Sequence, residues 1–232
     1  MDYIKENLDK VRENIKQACD KINKSSEEIT LIAVTKTIDE SIINESLKYD
    51  ITDIGENKVQ EVQRKYDLIT KPVKWHFIGH LQRNKVKYVI EKIDLIHSVD
   101  SERLAKEINK KAMGINRVMD ILIQLNISKE ETKFGLNRKE FDELILSISK
   151  MSNVRVRGLM TMAPHYENSE DTRWVFRKAK DIFEELKNND YNNIKMDYLS
   201  MGMTNDYVIA IEEGANIIRV GTGIYGARDY RK

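Results

Sequence analysis

Short apolar or β-branched runs alternate with helical patterns along almost the whole chain, and this alternation restricts the fold more than any other feature. The runs lie near 30–35, 51–55, 73–79, 94–99, 118–126, 155–162, 196–200 and 217–221. Between them, apolar residues recur at spacings of three and four near 38–48, 57–68, 83–92, 101–113, 137–150, 169–188 and 204–213. Strand-length runs joined by amphipathic helices build βαβ units, and repeated βαβ units build a parallel sheet. Eight such units in 232 residues match an α/β fold of the TIM type, a closed (β/α)8 barrel of commonly about 250 residues. The competing architecture is an open, doubly wound sheet. That fold needs a glycine fingerprint after its first strand, and Val34-Thr35-Lys36-Thr37-Ile38 has none. Ile4, Leu8, Val11, Ile15, Ala18 and Ile22 mark the apolar face of an extra N-terminal helix. The expectation is one barrel domain over 1–232.

Composition removes several function classes. The net charge of +1 gives no global basic field for nucleic acid. No apolar run approaches the roughly 20 residues of a membrane span. The N-terminus, Met1-Asp2-Tyr3-Ile4-Lys5-Glu6, has no apolar leader core, so a cytoplasmic protein is expected. A single cysteine, Cys19, leaves no intramolecular disulfide and no multi-cysteine zinc site. His76 and His97 stand on different strands with no carboxylate in a shared short motif, and no metal is expected.

In a barrel of this type, function gathers at the C-terminal ends of the strands. Lys36 closes the first run, Leu31-Ile32-Ala33-Val34-Thr35. A strand-end lysine ordinarily sends its ammonium to solvent. Held in an apolar setting, it favours the neutral amine, a nucleophile toward an aldehyde. The last two strands end in Ser200-Met201-Gly202-Met203 and in Arg219-Val220-Gly221-Thr222-Gly223. Barrels often bind phosphate in the loops that follow these strands. Ser200 and Thr222 offer hydroxyls, Gly221 lets the backbone approach closely, and Met203-Thr204-Asn205-Asp206 can open a helix whose dipole adds positive character. Arg219 sits inside an apolar strand and needs a partner if it points inward. An amine for an aldehyde beside a cradle for a phosphate suggests pyridoxal 5'-phosphate (PLP), with Arg219 facing an unprotonated ring nitrogen.

Seven motifs in order resemble the pyridoxal phosphate homeostasis proteins, a family sharing the fold of the alanine racemase N-terminal domain. They are Ala33-Val34-Thr35-Lys36, Gly55-Glu56-Asn57-Lys58-Val59-Gln60-Glu61, Trp75-His76-Phe77-Ile78-Gly79-His80-Leu81-Gln82, Lys133-Phe134-Gly135-Leu136, Gly158-Leu159-Met160-Thr161-Met162, Leu199-Ser200-Met201-Gly202-Met203-Thr204 and Arg219-Val220-Gly221-Thr222-Gly223-Ile224-Tyr225-Gly226. The resemblance implies PLP held as a Schiff base on Lys36, phosphate contacts from Ser200, Gly221 and Thr222, Arg219 at the ring nitrogen, and Asn57 and His80 nearby. It implies a non-catalytic carrier that buffers PLP or delivers it to PLP-dependent apoenzymes, and so affects amino-acid and keto-acid balance. Alanine racemases add a C-terminal domain that supplies a second base and completes a dimer. This chain runs only ten residues past Thr222, so a monomer without racemase turnover is expected. An amino-acid racemase, or a barrel enzyme using Lys36 on a phosphorylated metabolite, is the alternative. Lys133 raises the question of a second, transient PLP site. Gly223 stands where the family suggests alanine, a change expected to loosen the turn slightly.

Overall fold

A computed structural model describes residues 2–128, 134–188 and 191–226. Its strands are β1 (Thr30–Val34), β2 (Asp53–Glu56), β3 (Lys74–Phe77), β4 (Leu95–Val99), β5 (Met119–Leu125), β6 (Val154–Thr161), β7 (Ile194–Met203) and β8 (Ile217–Val220). Each pairs in parallel with the next, and β1 pairs with β8, so the sheet closes. This is the (β/α)8 barrel that the alternation predicts.

The helices are α1 (Asp2–Lys21), α2 (Glu40–Ser46), α3 (Val59–Lys65), α4 (Glu102–Met113), α5 (Arg138–Ile148), α6 (Arg173–Lys187), α7 (Tyr207–Glu212) and α8 (Thr222–Tyr225). Their ends follow local chemistry. Asn137 and Glu140 form a reciprocal capping box at the start of α5. Gly214 takes φ +100° just past α7, where a side chain would be strained. The extra helix α1 buries Ile4, Leu8, Val11, Ile15, Ala18 and Cys19. Asn7 Nδ2 donates to the Ile224 carbonyl at 3.0 Å and Asn14 Nδ2 to the Tyr207 hydroxyl at 2.8 Å. These two bonds tie α1 to α8 and α7.

Three elements depart from expectation. The crossover over 83–92 forms a 3-10 helix, Arg83–Tyr88, rather than an α-helix. Arg117 draws off the carbonyls of Ile90 (2.8 Å) and Ile93 (2.7 Å), leaving them outside any helical ladder. β7 runs to Met203, three residues past its apolar run of 196–200. The glycine turn after β8 runs directly into α8, a single helical turn.

Most of the apolar core lies between the strands and the helices. The barrel interior holds a small separate cluster of Ile32, Leu95, Leu122, Met160 and Ile217. Side chains alternate along a strand, so His97 shares the inward face of Leu95, and Arg219 that of Ile217. Barrel interiors are dominated by bulky branched residues. Here Asp53, His76, His97, Ser200 and Arg219 are buried within the barrel and break that pattern.

Candidate functional site

The same alternation builds the mouth of the barrel. Lys36 follows the inward residues Ile32 and Val34 by the two-residue step, Asn57 follows Gly55, and Gly221 follows Arg219. All of these except Ile32 and Gly55 line a cavity of about 750 Å³, within the usual range for a small-molecule site. Met162, Ala163, Pro164, His165 and Tyr166 from the β6 loop close another side, and Met203 to Asp206 the rim beyond β7.

Lys36 is half-buried in this wall, and α3 pins the backbone on either side of it. Lys65 is fully buried. Its ammonium donates to the Thr35 carbonyl (2.7 Å), Glu56 Oε1 (2.6 Å) and Glu61 Oε2 (2.8 Å). Glu61 Oε2 also accepts from the Thr37 backbone N–H at 2.7 Å. Thr37 takes φ +63°, a conformation β-branched residues rarely adopt, so these bonds hold a strained turn. Burial pushes the Glu56 carboxyl up, and the Lys65 ammonium only partly offsets that.

Across the cavity, the backbone N–H of Gly221 (3.4 Å), the backbone N–H of Gly223 (3.3 Å) and the Thr222 hydroxyl (3.2 Å) converge on one atom, Thr204 Oγ1. Two long amide bonds and a pair of hydroxyls around one point form a nest for an anionic oxygen. A Cβ on Gly223 would stand 2.8 Å from Val220 Cγ1 and 3.2 Å from Thr204 Cγ2. Glycine there lets the turn close on Thr204; the expected loosening does not describe it. Asp206 Oδ1 accepts from the Met203 N–H at 2.6 Å and fixes the opposing loop.

Arg219 reaches the cavity from below, only 4% exposed. Its Nη1 donates to Ser200 Oγ at 2.5 Å and its Nη2 to the Thr161 carbonyl at 3.0 Å. Burial pushes its pKa down to about 10, which leaves it charged at neutral pH. Asn57 Oδ1 is buried and has no hydrogen-bond partner among the described residues. An orphaned acceptor, a guanidinium edge, an anion nest and a lysine on one cavity suit a compact ligand carrying a phosphate and further polar substituents. PLP fits that description.

Of the seven residues singled out in the sequence, Lys36, Asn57, Arg219, Gly221 and Thr222 line the cavity. Ser200 lies one layer deeper, its hydroxyl engaged by Arg219 and by His97 Nδ1 at 3.0 Å. His80 faces a different groove, stacked on Phe134 with ring centroids 4.0 Å apart and its Nδ1 3.5 Å from Asp100 Oδ2. Lys133 lies outside the described residues. Thr204 is a further site residue, its hydroxyl at the centre of the nest and not among those seven. Its signal in the sequence is the position directly after Met203, where β7 ends. No group of three His, Cys, Asp or Glu among the described residues is placed to hold a metal ion.

Residues 7–229 match the family model described as alanine racemase, N-terminal domain. The pyridoxal phosphate homeostasis protein of Aquifex aeolicus is 42% identical over 226 residues, covering 97% of this chain and 98% of that one. PipY of Synechococcus elongatus PCC7942, solved with PLP bound, superposes with a TM-score of 0.81 at 30% identity, covering 91% of this chain and 100% of that one. Alanine racemase of Clostridium difficile 630 shares the fold at TM-score 0.72 and 16% identity, over 100% of this chain and 58% of its own.

Proposed function

We propose, for a chain that belongs to the pyridoxal phosphate homeostasis proteins of the alanine racemase N-terminal domain family, that its cavity binds PLP and that the protein buffers this cofactor and hands it on. The cofactor brings an aldehyde that a neutral amine captures reversibly, and a phosphate. Lys36 is the amine of the cavity. Thr204, Gly221, Thr222 and Gly223 take the phosphate, where two N–H groups and two hydroxyls already converge. Arg219 meets the ring nitrogen with a cation that cannot give up its proton at neutral pH, so that nitrogen stays unprotonated and the ring is a weak electron sink. Asn57 orients the ring edge through its unpartnered oxygen. Ser200 acts beneath the cofactor, through Arg219.

The observation that carries this reading is the meeting of Lys36, Arg219 and the Thr204 nest on one cavity. Visible absorption of the purified protein with added PLP tests it, followed by borohydride reduction and peptide mass mapping. The expected result is a violet-absorbing band that reduction fixes onto the peptide carrying Lys36. A protein that stays colourless, or a label on other lysines alone, overturns it.

The recipients are apoenzymes that use the same cofactor, and the protein acts as a cytoplasmic monomer. No helix among the described residues is long and apolar enough to cross a membrane. Racemisation needs acid–base groups on both faces of the ring. Incubation of the loaded protein with common amino acids in deuterated water is expected to leave the α-proton in place; exchange above a Lys36→Ala control would make the protein an enzyme.

A further inference from the structure

Beneath the cavity, a line of side chains from five strands crosses the barrel interior. Asp53 Oδ1 lies 2.8 Å from His76 Nε2, His76 Nδ1 2.9 Å from His97 Nε2, and His97 Nδ1 3.0 Å from Ser200 Oγ, which accepts from Arg219 at 2.5 Å. All five residues are more than nine-tenths buried. Asp53 also borders a recess of about 620 Å³ at the opposite end of the barrel, beside α1.

The bonds have one consistent direction. The Asp53 carboxylate only accepts, so His76 carries its proton on Nε2. A neutral His76 then accepts at Nδ1 from the Nε2–H of His97. His97 accepts at Nδ1 from the Ser200 hydroxyl, and the Ser200 oxygen accepts from Arg219. Every ring nitrogen and the hydroxyl is satisfied with both imidazoles neutral. Burial, with the Arg219 charge close by, favours the neutral form of His97 and holds its pKa well below the usual value. Asp53 stays ionised: burial opposes this, but the bonds from His76 and Thr52 prevail.

Among the described residues, the hydrogen bonds of the Arg219 guanidinium run to a hydroxyl and a backbone carbonyl and to no carboxylate. A buried polar line of this length is unfavourable unless it is complete. Here it is complete, and it ends on Arg219, which lines the cavity.

We propose that Asp53, His76, His97 and Ser200 are positioning residues for Arg219, passing the polarisation of a distant carboxylate along one-way hydrogen bonds to fix the guanidinium where it would meet the ring nitrogen of the cofactor. The inference rests on the PLP-binding reading. It assigns the histidine pair and Asp53 to the electronics of the cofactor. It also explains why a barrel interior that would be more stable filled with branched apolar side chains is polar along this line. His97→Leu cuts the line, whereas His97→Gln retains one acceptor and one donor on a single head group. Asp53→Asn retains an acceptor for His76 and removes only the charge.

The test compares visible absorption, induced circular dichroism and PLP retention of the loaded variants with wild type. His97→Leu is expected to alter the dichroic band and lower retention about three- to tenfold, the effect of one lost hydrogen bond. His97→Gln is expected to restore most of both, and Asp53→Asn to shift the band in the same direction as His97→Leu. The spectral effect of Asp53→Asn is expected to vanish in an Arg219→Gln background, which a general structural weakening would not do. Wild-type spectra and retention in both Asp53→Asn and His97→Leu would overturn the relay while leaving PLP binding intact. If His97→Leu fails to fold, Asp53→Asn alone decides. A wild-type protein that takes up no PLP removes the PLP-binding reading itself.

Discussion

Lys65 shows how much a single buried charge can determine. It is buried completely against Glu56, and its three bonds brace the residues on both sides of Lys36. Breaking one partner of a buried pair leaves the other unpaired, at a cost of about 3–5 kcal/mol. Lys65→Met is therefore expected to lose about that much stability in urea unfolding at neutral pH. Because burial already raises the Glu56 carboxyl, the deficit should shrink at mildly acidic pH as Glu56 becomes neutral. An equal deficit at both pH values would mean that packing, not charge, dominates. Thr204 offers a second residue-scale test. Thr204→Val keeps the shape and removes the hydroxyl at the centre of the nest, so PLP retention should fall about two- to tenfold with little change in thermal midpoint. Unchanged retention would move the phosphate elsewhere. Lys36 and Arg219 were legible in the sequence because charged residues in apolar runs are anomalous wherever the strand falls. Thr204 was not, because its role depends on where β7 ends.

Strand ends governed what could be read at the level of elements. The alternation located all eight strands, but β7 extends three residues beyond its apolar signal, to Met203. Ser200 thereby moves from the rim into the interior. Register is equally hidden: nothing in the sequence brings Asp53 on β2 to His76 on β3 and His97 on β4, since each lies in a separate motif. The end of the 3-10 crossover escaped for a similar reason, because Arg117, more than twenty residues away, binds the carbonyls of Ile90 and Ile93 that follow it. The β8–α8 junction gives an element-scale prediction. Gly223→Ala would force a methyl to 2.8 Å from Val220 Cγ1, and overpacking of this kind costs about 1–3 kcal/mol. The thermal midpoint should drop, and PLP retention with it, since Thr204 can no longer sit against the turn. A variant with wild-type retention and midpoint would show that β8 and α8 yield without disturbing the nest.

For the whole molecule, the neutral imidazole of His97 links stability to pH. Its folded pKa lies well below 6.5, so the unfolded chain binds more protons once the pH drops below that value. Stability present above about pH 6.5 is thus lost progressively as the pH falls toward the folded pKa. The unfolding midpoint in urea should decline over that range in wild type and decline less in His97→Gln. Parallel slopes would place the acid sensitivity in other groups. Closure of the sheet has a different consequence. β1 completes its pairing only with β8, and Lys36 emerges from the ribosome nearly two hundred residues before Thr222. During synthesis Lys36 is made early and the Thr204 nest last, so on the proposed site a nascent chain would present the amine without the grip that would retain the ligand. On the proposed site, possession of the cofactor would then depend on closure of the barrel, and a chain stalled short of β8 would neither sequester PLP nor release it.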